Sequence, residues 1–223
     1  MSQKPPKKSD LKAGWMKKRR DRPIMIQPEY HLIISEGTKT EPAYFDAIKR
    51  NINAYYKNKI HLEIKGVGNN TIALFKEAQN LVRHNPNKYN HVWIVYDTDD
   101  FPAHDIDIIV EQCKNYSDSE TTYHAIWSNQ CIELWFLLHF NYFESDVHRK
   151  EYFPKLSSYF KKYFQIEYQK NLSDIFQMLR PYTDIAIKNA KRLHEKNHDK
   201  SPSQSAPGTQ VYELVELLYP YFK

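Results

Sequence analysis

Hydrophobic residues recur along this chain in strand-like and helix-like rhythms. His31-Leu32-Ile33-Ile34-Ser35 is a short apolar run behind Tyr30. Its length and β-branched content predict a buried strand, and Gly37 ends it. Thr40 is the expected N-cap of a following helix, with Pro42 in its first turn. Ile60, Leu62 and Ile64 alternate with His61 and Glu63, which predicts a second strand. Gly66, Gly68 and Asn69-Asn70 break it, and Thr71 is placed to cap a helix carrying Ile72, Phe75, Leu81 and Val82. Val92-Trp93-Ile94-Val95-Tyr96 is continuously apolar, as a central parallel strand covered on both faces should be. A helix is expected from His104 to Asn115 and a strand from Thr122 to Trp127. Cys131 to Phe140 reads as a helix apolar on nearly all sides, hence deeply buried.

Strands alternating with helices, joined by crossovers long enough for parallel pairing, predict an α/β fold. We expect a mostly parallel, Rossmann-like sheet flanked by helices over residues 28–140. Residues 141–223 are charged, Tyr-rich and helical in pattern, with helices near 151–163, 172–180 and 184–197. Ser201 to Gly208 reads as a surface loop, and Thr209 to Tyr219 closes the chain with an amphipathic helix. This C-terminal part is expected to pack on the core as a helical extension. Residues 1–27 are polar, basic and punctuated by Pro, and read as a flexible tail.

Composition narrows the class. A hydrophobic share of 41%, with 17 Tyr and 11 Phe, supports a packed core and excludes a disordered chain. No apolar run is long enough to span a membrane and the N-terminus lacks an apolar signal core. Cys113 and Cys131 have no telling spacing, which argues against a disulfide framework and a cysteine zinc site. A cytoplasmic protein with reduced thiols is expected. The formal charge of +5 is uneven: residues 1–23 carry a net +7 and the remainder a net −2. A basic arm attracts phosphate backbones without reading sequence; a solvated tail that aids solubility is the plainer alternative.

Two predicted strands end in acid. Glu36 follows Ile33-Ile34-Ser35, and Asp97 and Asp99 follow Val95-Tyr96. In a parallel sheet both strand ends share the edge where functional residues gather. Converging carboxylates repel one another unless a cation sits among them, and hard oxygen ligands select magnesium or manganese. Glu41, Asp100 and Glu133 are candidates for further ligands. Such a site serves phosphodiester hydrolysis by activating water and offsetting charge on the phosphate. Taken singly, each acid has a plainer role: Glu36 as a helix cap, Asp97 and Asp99 as turn residues.

Ser35-Glu36-Gly37-Thr38-Lys39-Thr40-Glu41-Pro42 with Tyr44-Phe45, then Asp97-Thr98-Asp99, then Ser128-Asn129-Gln130-Cys131-Ile132-Glu133-Leu134-Trp135-Phe136-Leu137-Leu138-His139-Phe140 resemble, in that order, the motifs of the RloB-like family. Thr209 to Val215 is a looser match to its C-terminal helix, so the resemblance covers roughly residues 30–218. It implies a Toprim fold, the catalytic module of topoisomerases, primases and OLD-type nucleases, and an association with phage defence and abortive infection. It further implies that Glu36 is the Toprim glutamate and that Asp97 and Asp99 bind metal. Glu133 would support them, and a partner ATPase would control the activity. The expected function is therefore magnesium-dependent nuclease action on DNA or RNA, tRNA included. The alternative is a non-catalytic nucleic-acid-binding or regulatory subunit. One departure stands out: OLD-type nucleases often place an acid four residues after the Toprim glutamate, and here that residue is Thr40, with Glu41 one later.

Other residues carry two readings each. Lys39 would neutralise a phosphate in the transition state or simply face solvent. His139 is a proton shuttle or a core histidine. Asn129 is expected to cap the buried helix, with Glu133 gaining from that helix's dipole. His194, His198 and Asp199 give a weak metal signal. Tyr152, Tyr159, Tyr163 and Tyr168 would stack on bases or pack internally.

Overall fold

The computed structural model describes residues 28–68, 71–98, 102–170 and 172–223. The tail at 1–27 and the acids Asp99 and Asp100 lie outside the described residues, so neither the expected flexibility nor the second half of the Asp-x-Asp pair is tested there.

Four strands are present among the described residues: β1 (Glu29–Ser35), β2 (Ile60–Gly66), β3 (His91–Asp97) and β4 (Thr122–Ser128). They form one all-parallel sheet in the order β2-β1-β3-β4. The connections are α1 (Thr40–Asn51), α2 (Thr71–His84) and α3 (Ala103–Tyr116). After β4 come α4 (Glu133–Leu138), α5 (Tyr152–Phe164), α6 (Ile175–Leu179), α7 (Thr183–Lys196) and α8 (Val211–Phe222). This is the Rossmann-like α/β sheet the hydrophobic pattern implies.

Alternation along the strands builds two cores. Leu32, Ile34, Val92, Ile94 and Tyr96 pack with α2 and α3 on one face. Ile33, Trp93, Val95 and Ile126 face α1 and the C-terminal helices on the other. Because α1 alone of the three crossovers lies on that second face, the C-terminal helices fill the space beside it. All six residues of α4 are buried there, under Tyr152, Leu156, Phe160, Phe176 and Leu214. At roughly 25 cal/mol per Å² of apolar surface, such burial, not helix propensity, holds a helix of this length.

Local expectations needed three corrections. Thr40 does not cap α1: it is the first helical residue, and its hydroxyl donates to Lys170 O at 3.0 Å. Asn129 does not cap α4, which begins at Glu133 after a positive φ of 53° at Gln130; its amide instead reaches Thr98 Oγ1 at 3.5 Å. The stretch 201–208 is not a surface loop throughout. Ser205, Pro207 and Gly208 are buried, and a Cβ at Gly208 would come within 2.8 Å of the Trp127 ring. An antiparallel bridge from Thr209 to Ser128 and a 2.8 Å hydroxyl contact between them tie this segment to the end of β4.

Candidate metal centre

The chain runs from β1 outward to β2 and returns to place β3 on β1's other side. That reversal leaves a crevice at the carboxyl ends of β1 and β3, the place where open α/β sheets bind ligands. Glu36 and Asp97 fall there. Ser35 is the register partner of Val95, and the Glu36 amide donates to Val95 O at 3.0 Å. Asp97 is the last residue of β3, and both Glu36 and Asp97 are half-buried.

The residue between the two aspartates anchors the turn. The Thr98 amide donates to Ser128 O at 3.0 Å, and its buried hydroxyl oxygen accepts from the Gln130 amide at 3.3 Å. Side-chain alternation gives no hint of this role, because the residue lies beyond the strand's last ladder pair.

Glu41, on α1, and Glu133, at the start of α4, lie close enough for their charges to act on one another. Glu41 is 7% exposed and Glu133 is 1% exposed. The Glu41 carboxylate packs onto Gly37 so closely that a Cβ there would make it shift. Burial pushes the Glu41 carboxyl above the ordinary carboxylate range, the nearby Glu133 charge adds to the rise, and Lys170 opposes it. Tyr168, in the connection after α5, donates its hydroxyl to Glu133 Oε1 at 3.0 Å. The Cys131 thiol is pushed up first by burial and then by the charges of Glu133 and Asp97. These mutual influences place Glu41, Glu133 and Asp97 in one electrostatic neighbourhood.

An all-oxygen donor set with an excess of negative charge, part of it buried, suits a hard divalent cation. The acid displaced by one position from the OLD-type pattern, Glu41, lies against Gly37, the residue after Glu36. Lys39 is exposed and Lys170 is the lysine whose charge acts on Glu41. Lys170 was not legible as a site residue in the sequence, since it stands 130 residues beyond Thr40, which it contacts; Tyr168, read there for base stacking or packing, instead bonds Glu133, 35 residues before it. Among the described residues, a group of three ligand atoms within 4.8 Å of one another occurs elsewhere, at Glu29, His31 and His91.

The other residues take their plainer roles. His139 is fully buried, its Nδ1 bonded to Trp135 O at 2.9 Å, and burial lowers it to about 4. His198 pairs with Asp199 at 2.9 Å on the surface, while His194 bonds the Gln210 amide at 3.0 Å. Tyr152 and Tyr168 are buried packing residues, Tyr159 stacks on Phe140, and Tyr163 is exposed. No helix among the described residues is long and apolar enough to cross a membrane.

A family model described as RloB-like protein covers residues 31–218. No curated protein and no solved structure matches the chain.

Proposed function

The chain belongs to the RloB-like family, and from that premise and the acids gathered at its β1/β3 switch point we propose that it is a magnesium-dependent nuclease. Its substrate would be the phosphodiester backbone of DNA or RNA, and its setting antiviral defence of the abortive-infection kind. The observation that supports the reading is that Glu41 and Glu133, on two different helices, act on one another, while Glu133 and Asp97 at the end of β3 both act on Cys131. Buried like charges are costly, and a bound divalent cation is the simplest agent that offsets them.

Asp97, Glu36 and Glu41 would hold the ion, with Asp99 beside them in sequence. Magnesium, or manganese, bound there supplies an activated water and charge compensation at the phosphate. The protein's own groups do the rest. Glu133 is held by the Tyr168 hydroxyl, which fixes where its carboxylate can accept a hydrogen bond. Glu36, half-buried at the crevice, would hold metal or act as general acid or base. Lys170, with Lys39, offers positive charge to an incoming phosphate. The basic segment before residue 24 would attract nucleic acid electrostatically. The chain has no Gly-x-x-x-x-Gly-Lys-Ser/Thr phosphate loop, so any control by ATP would come from a partner ATPase.

Purified protein should cleave labelled plasmid, single-stranded DNA or total tRNA in magnesium or manganese but not in EDTA. Asp97→Ala and Glu133→Gln should each abolish cleavage. Metal binding lost in Asp97→Ala, without cleavage by the wild type, would point to the missing partner. No cleavage and no metal binding would sink this reading and put the non-catalytic binding subunit in its place.

A further inference from the structure

The opposite, amino-terminal edge of the sheet carries a second cluster. Glu29 and His31 stand two residues apart on β1, so strand alternation puts both side chains on the face of Ile33. His91 is the direct register partner of His31 on β3. One ligand atom from each of the three lies within 4.8 Å of the other two. His31 is fully buried, yet its Nε2 makes no hydrogen bond; Glu29 Oε2 stands 3.5 Å away. We propose that Glu29, His31 and His91 bind a transition-metal ion of the zinc class, at a site separate from the acidic crevice.

The donor set decides the ion. Two imidazoles and a carboxylate favour zinc, cobalt or nickel over magnesium, which prefers oxygen alone. Glu29 is half-exposed, so the site opens to solvent on one side and leaves a position for water. Outer groups already orient the ligands, as they do at bound metals. His91 Nδ1 is bonded to His124 Nε2 at 3.0 Å, and Trp93 stacks on His124 with ring centres 3.9 Å apart. Burial holds all three histidines below their ordinary range, His31 at about 3 and His124 at about 4, so the rings keep a lone pair near neutral pH.

One contact opposes the ion and gives the proposal a sharp consequence. Trp93 Nε1–H donates to His31 Nδ1 at 3.2 Å, which leaves the ring's one proton on Nε2. A metal at Nε2 moves that proton to Nδ1 and gives up the Trp93 bond. Trp93→Phe removes the competing donor and should therefore tighten the metal.

The two edges are distinct: His91 and Asp97 end the same seven-residue strand, about 20 Å apart at ~3.3 Å per residue. The test is titration of untagged full-length protein with Co²⁺ and Zn²⁺ in excess magnesium, read by visible absorption and by metal content. We expect one cobalt ion per chain in the wild type and equally in Asp97→Ala. His91→Asn should abolish this binding, Glu29→Gln should weaken it at least about tenfold, and His124→Ala should weaken it about tenfold as loss of an outer partner. Glu29 is half-exposed, so Glu29→Gln stays informative should His91→Asn unfold. Failure of the wild type to bind, binding indifferent to Glu29→Gln, or binding lost in Asp97→Ala would each overturn the proposal.

Discussion

Glu41 lies against Gly37 and beside Glu133, where burial and like charge both disfavour its ionised form. A carboxyl whose folded pKa is raised contributes stability at low pH, below its ordinary 4.5, and loses it as pH rises through the folded value. Glu41→Gln should therefore stabilise the metal-free protein near pH 7.5, by on the order of 1 kcal/mol. The same change should shrink the rise in melting temperature that magnesium gives the wild type. Thermal melts with and without magnesium measure both; a destabilised Glu41→Gln would refute the argument. Buried histidines act with the opposite sign. His139 is lowered from 6.5 to about 4, so its share of stability is complete above pH 6.5 and is lost as pH falls towards 4. That loss is on the order of 3 kcal/mol by pH 4. His139→Leu, which cannot titrate, should flatten that part of the stability-against-pH curve measured by urea unfolding.

At the scale of elements, α4 shows what the C-terminal helices are for. A six-residue helix is too short to persist alone, and its Trp135 donates its Nε1–H to Tyr44 of α1 at 2.9 Å. It is covered by α5 and α7 and shares its core with α6 and α8. Glu133 leads this helix, so one supporting acid of the candidate centre depends on packing supplied from residues 152–222. A fragment ending at residue 140 should fail to give a cooperative unfolding transition. In the full chain, Leu134→Ala should cost about 2–5 kcal/mol, read from denaturant unfolding. A fragment that folds and melts cooperatively would show that the sheet layer carries its own stability.

Across the whole molecule, the two edges of one parallel sheet carry different chemistry. The carboxyl edge carries carboxylates: Glu36 directly after β1, Asp97 at the end of β3, and Glu41 and Glu133 in the first turns of α1 and α4. The amino edge gathers imidazoles from β1, β3 and β4. Strand direction accounts for the contrast: all four strands run the same way, so every strand start lies on one edge and every strand end on the other.

The strands, the three crossover helices and the acids at the strand ends were legible in the sequence because each rests on local periodicity and punctuation. Ile33-Ile34-Ser35-Glu36 and Val95-Tyr96-Asp97 announce buried strands running into carboxylates without any knowledge of their neighbours. Thr40, Asn129 and Ser205–Gly208 were misread because their partners, Lys170, Thr98 and Trp127, are remote in sequence and capping or loop propensity describes only near ones. His31 lay in an expected strand and His91 just before another, and nothing local joins them. Only the parallel register between β1 and β3 makes them adjacent, and register is a property of two strands that neither strand's own sequence contains.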